Sequence, residues 1–112
     1  MDTSKVKYLQ IEAGLYWQAS YGNPYWAARL IALDKDFNVL SKTLFPRAWG
    51  PEEMVYQDLR AFLAEEGLIP EDIHYNSDAL KALSEKGISV LMTLKKDCSL
   101  KDLKALAEEA SK

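Results

Sequence analysis

Tyr25-Trp26-Ala27-Ala28-Arg29-Leu30-Ile31-Ala32-Leu33, then Asp34-Lys35-Asp36-Phe37-Asn38, then Val39-Leu40-Ser41-Lys42-Thr43-Leu44-Phe45 is the stretch that decides the fold class of this chain. Two runs able to form strands flank a polar connection of five residues, the length and composition that close a β-hairpin. Upstream, Tyr8 to Leu15 alternates, with Leu9, Ile11, Ala13 and Leu15 on one face and Tyr8, Gln10 and Glu12 on the other. A period of two is that of a half-buried strand. The first half of the chain therefore reads as a three-stranded antiparallel meander.

Downstream the period changes. Pro46 and the Gly50-Pro51 pair are expected to break the sheet, and Pro51 suits the first position of a helix whose positive end Glu52 and Glu53 complement. Met54, Val55, Leu59, Phe62 and Leu63 form its apolar stripe, and Gly67 supplies a left-handed stop. Residues Asp72 to Tyr75 read as a short strand or a loop, with the strand favoured. Asn76 or Ser77 can cap a second helix with Leu80 and Leu83 facing inward, ending at Gly87. Ile88 to Leu94 reads as the best buried strand, and Ser99 with Asp102 opens a last helix carrying Leu100, Leu103, Leu106 and Ala110. The fold class is α+β: a three-stranded antiparallel meander, helix, an optional short strand, helix, strand, helix.

All 112 residues are read as one domain, because no repeat, linker or low-complexity tract marks a boundary. Hydrophobic residues make up 48% and charged ones 28%, the balance of a chain that folds by itself. With 14 basic against 17 acidic side chains, the net charge of -3 offers nothing to a nucleic-acid backbone. The one cysteine, Cys98, leaves no intrachain disulfide and no Cys/His cluster for zinc. No apolar signal region opens the sequence and no run could span a bilayer, so a cytoplasmic location is expected.

Catalytic motifs are sparse. His74 is the only histidine, no Gly-x-Ser-x-Gly elbow surrounds a serine, and the five glycines form no phosphate-cradling loop, so no cofactor is expected. Cys98 reads as a small residue at a strand-to-helix corner rather than as a nucleophile. The densest feature is aromatic: Tyr16, Trp17, Tyr21, Tyr25 and Trp26 crowd around the Gly22-Asn23-Pro24 loop. Such rings either plug the end of a small sheet or form a contact surface, since Trp and Tyr dominate binding hot spots. Trp17, Tyr21, Tyr25 and Trp26, joined by Trp49, are the expected partner-binding residues.

The order of elements resembles the ribonuclease H-like fold. That resemblance implies a metal-dependent nuclease with acidic residues on the first strand, the first helix and the fourth strand end, where two divalent ions clamp the attacking and leaving oxygens. Glu12, Glu53 and Asp78 occupy those places, with glutamate on the first strand where that family usually has aspartate. Glu53 and Asp78 also suit the simpler role of first-turn acids.

Locally, Ser20-Tyr21-Gly22-Asn23-Pro24-Tyr25-Trp26, with the alternating strand, hairpin and helix after it, resembles small uncharacterised proteins of bacteriophages and mobile elements that carry a Tyr-Gly-Asn-x-Tyr segment, over roughly residues 16 to 66. The resemblance implies a compact non-enzymatic protein that binds and modulates a host or phage protein. A small protein-binding module acting on a host defence protein is thus the leading expectation. The alternatives are the nuclease, a small-ligand binder and a homodimer.

Overall fold

A computed structural model describes residues 3–18, 23–49, 52–73 and 75–96, with the backbone alone at 17, 18, 23, 24, 46–49 and 52. A 3-10 turn at Thr3–Lys5 leads into strand β1 (Tyr8–Gln18), followed by β2 (Asn23–Leu33), β3 (Val39–Trp49), helix α1 (Glu52–Glu65), helix α2 (Asn76–Glu85) and strand β4 (Ser89–Lys95). The architecture is α+β: a four-stranded mixed sheet in the order β3-β2-β1-β4, carrying two helices. β1, β2 and β3 form the antiparallel meander, and β4 returns to lie parallel to β1.

Alternation sets the two faces of the sheet. Leu9, Ile11 and Ala13 of β1 and Trp26, Ala28, Leu30 and Ala32 of β2 are buried in one cluster with Val55, Leu59 and Leu63 of α1 and Ala79 and Leu83 of α2. Helix α1 lies over β2, where Ala28 and Ala32 keep the sheet surface low, while α2 lies over β4 and beside α1. Both helices therefore cover the same face. Burial of apolar side chains at about 25 cal/mol per Å² drives this packing, and the expected stripe of α1 supplies its helical half. Gly67 and Gly87, at φ +79° and +76°, end the two helices in the left-handed region that glycine adopts without strain.

Five expectations need correction. Pro46 does not break the sheet: β3 runs through it to Trp49, with a register irregularity opposite the Trp26-to-Ala28 step. β3 is an edge strand, where a proline N–H is not needed, and a bulge absorbs the misfit. At residues 72–75 the loop alternative holds for the described residues: Glu71 and Asp72 make a turn after Pro70, residues 73 and 75 are not in a strand, and His74 lies outside the described residues. Helix α2 starts from Tyr75 with no side-chain cap, so Asn76 and Ser77 lie inside it. Leu80 is 52% exposed, because Ala79 and Leu83, four apart, form the buried stripe and Leu80 is turned away from it. β4 is an edge strand covered on one face only, and Leu91 is 65% exposed. The expected last helix, with Cys98, lies outside the described residues.

Candidate functional site

The sheet face opposite the helices is built from the alternate positions of the same strands. Cross-strand register aligns Val39, Leu33, Tyr8 and Ser89 in one row, Lys42, Ile31, Gln10 and Leu91 in the next, and Leu44, Arg29, Glu12 and Thr93 in a third. No described helix lies over these rows.

The third row holds an ion pair. Arg29 donates from Nη2 and Nε to Glu12 Oε2 at 2.6 and 3.1 Å, and Gln10 Nε2 donates to Glu12 Oε1 at 3.4 Å. The two charged side chains are 21% and 30% exposed, for Arg29 and Glu12 respectively. This placement separates the three acids that the ribonuclease H-like resemblance singled out. Glu12 points to the face opposite the two described helices and is already paired with Arg29, whereas Glu53 and Asp78 are exposed on those helices. Among the described residues no three His, Cys, Asp or Glu side chains gather as a metal ion needs.

Of the expected aromatic surface, Tyr21 lies outside the described residues, and Trp17 and Trp49 are placed only by backbone, at strand ends. Tyr25 is half-buried, opposite Tyr16 on β1. Trp26 is not on a surface: it is 1% exposed, beside Phe45 at a ring separation of 6.3 Å, and Phe45 in turn meets Phe62 edge-on at 5.6 Å. It shares the parity of Ala28, Leu30 and Ala32, so the pleat aims it into the core. Its indole Nε1 is buried without a hydrogen-bond partner.

An aromatic that sequence reasoning passed over takes the exposed position. Phe37, in the β2–β3 loop, is 63% exposed and stacks on Tyr8 at a centroid distance of 4.6 Å. Its φ is +64°, a left-handed conformation that a bulky residue rarely adopts. Asp34 holds the loop in place. Its Oδ1 accepts from the backbone N–H of Asp36 and of Asn38, both at 2.9 Å, and its Oδ2 accepts from Asn38 Nδ2 at 3.2 Å. Phe37 N–H donates to the Asp34 carbonyl and Asp34 N–H to the Asn38 carbonyl, each at 3.0 Å. These donors, led by the Asn38 backbone N–H, hold the Asp34 carboxyl below its ordinary range. The signal for Phe37 was legible as a misfit: a five-residue hairpin loop usually places glycine or asparagine where a positive φ is required.

Phe37, Val39 and Leu91 are exposed at one end of this face, beside the half-buried Tyr8, Leu33 and Ile31. Such an exposed patch with an ion pair beside it suits contact with another macromolecule. On the opposite side of the sheet a second concavity of about 220 Å³ opens between α1 and α2. Ile11, Val90 and Met92 form its sheet side, and Leu59, Leu63 and Leu83 line it from the helices. Comparisons with protein-family models, with curated proteins and with solved structures give no match.

Proposed function

We infer that this chain is a small non-enzymatic protein-binding module that docks a protein partner on the end of the sheet face where Phe37, Val39 and Leu91 are exposed, with Phe37 as the anchoring side chain. The observation that carries this reading is the conformation of Phe37. A phenylalanine held at positive φ costs about 1–2 kcal/mol, yet the ring stays exposed and adds nothing to the core. Strain that the stack on Tyr8 only partly offsets is the mark of a position shaped for contact, and the same stack pre-orders the ring, which lowers the entropy cost of binding. The Ser20-to-Trp26 segment supplies the setting: the partner is a host protein that a phage or mobile-element product would inhibit or modulate.

The test is capture of partners on the tagged chain beside its Phe37→Gly variant, followed by titration of the purified captured protein against both. Glycine suits the left-handed turn, so the fold is retained while the ring is removed. An anchor of this kind is worth about 2 kcal/mol or more, so the variant's affinity should fall about 30-fold. Equal affinities for the two would remove Phe37 from the interface and this end of the sheet from its role.

A further inference from the structure

We propose that the cleft between α1 and α2 is a binding site for a small aliphatic carboxylate, with Arg60 as the residue that receives the carboxylate group. This site lies on the helix side of the sheet and is independent of the face assigned above to a protein partner.

Arg60 is half-buried on α1, one position from buried Leu59, and lines the cleft. Its Nη1 donates to Asn76 Oδ1 on α2, a neutral acceptor, and no carboxylate among the described residues forms an ion pair with it. A guanidinium has five donors in a fixed fork, matched in geometry to a carboxylate, and partial burial makes an unmatched charge costly. The Asn76 contact fixes one arm, and no other hydrogen bond to a described residue takes up the bidentate capacity of the group.

Apart from Tyr56 and Asn76, the other described residues that line the cleft are apolar and suit the other end of such a ligand. Arg60 is the only charged side chain among the described residues that line it, and the deep surface is aliphatic, made by Ile11, Leu63, Leu83, Val90 and Met92. Its volume of about 220 Å³ is below the roughly 300–1,000 Å³ of pockets for drug-sized molecules, so a short or branched chain fits better than a long one. An apolar wall with one convergent cation is the composition that selects an amphipathic anion over a neutral analogue. Nor does the packing itself close the space: Ala79, which also lines it, is too short to do so, and Leu80, 52% exposed, lines only its rim.

Titration of the 112-residue chain with sodium hexanoate, read by methyl and backbone NMR shifts, tests the proposal directly. Saturable binding is expected, with the largest shifts at Leu63, Leu83, Val90 and Met92. Hexan-1-ol, of the same chain length without the charge, should bind at least about 10-fold more weakly. Arg60→Gln should bring hexanoate down to the affinity of the alcohol and leave the alcohol unchanged, and Arg60→Lys should recover part of the difference. Ala79→Leu, which fills the cleft, should abolish binding of both. Absence of saturable shifts at those methyls in the unmodified chain overturns the proposal whatever the variants do, as does equal affinity for acid and alcohol.

Discussion

Replacing Phe37 by glycine and by alanine separates the strain at that position from the value of its ring. Both variants lose the stack on Tyr8, a contact of about 0.5–1.5 kcal/mol. Only glycine removes the penalty of a φ of +64°, about 1–2 kcal/mol for a residue with a Cβ. Glycine also enlarges the conformational freedom of the unfolded chain, which costs roughly 0.5–1 kcal/mol relative to alanine. The sum puts Phe37→Ala about 1 kcal/mol below the unmodified protein, Phe37→Gly close to it, and the glycine variant above the alanine variant by about 0.5–1 kcal/mol. That order is the reverse of the one found at ordinary positions. At roughly 4 °C of Tm for each kcal/mol in a domain of this size, thermal melts followed by circular dichroism resolve it, and urea titration gives the same difference independently. An alanine variant as stable as the glycine variant, or more so, would falsify the claim that Phe37 is strained, and its contact role would lose its support.

Two further outcomes are expected from the geometry. Trp26→Ala should cost about 3–5 kcal/mol in chemical denaturation as a core deletion, whereas Trp26→Phe should cost less than about 1, because removing the unpaired buried indole N–H offsets part of the lost packing; an alanine variant of near-normal stability would put the ring outside the core. Asp34 has a folded pKa below its unfolded one, so the stability it confers is complete above the ordinary carboxylate range and is lost as pH falls through the lower folded value. The gap in urea midpoint between the unmodified chain and Asp34→Ala should therefore be constant near neutrality and close in strong acid, and a gap that persists there would assign the effect to something other than the carboxylate.

Much of the fold was legible because it is local. The alternation from Tyr8 to Leu15, the Val55-Leu59-Leu63 stripe and the stops at Gly67 and Gly87 each rest on a period or a dihedral preference that neighbouring residues carry by themselves. What was misread depends on elements far away in sequence. Ile88 to Leu94 is apolar enough for a central strand, and only the position of β4 at the sheet margin exposes Leu91. Pro46 breaks a strand in the interior of a sheet and is harmless at an edge. The aromatic residues show the same division: density drew attention to Trp26, while parity with Leu30 and Ala32 was the better guide and sends it inward. Phe37 escaped notice because its exposure comes from the turn rather than from composition. The Arg60 cleft could not be read at all, since it exists only where α1 and α2 meet.

The parallel pairing of β4 with β1 carries a consequence for how the chain is made. Tyr8 and Ser89 are partners, so one side of β1 stays open until about 80 further residues have been synthesised. At 5–20 residues per second that interval lasts roughly 4 to 16 s after the first strand leaves the ribosome. The hairpin and its helix can form meanwhile, and the nascent chain then displays a row of unmatched amides and carbonyls beside Leu9 and Ile11. Translation pauses ahead of codon 89 would lengthen the exposure, and products that stop short of it would be the ones that aggregate or recruit chaperones.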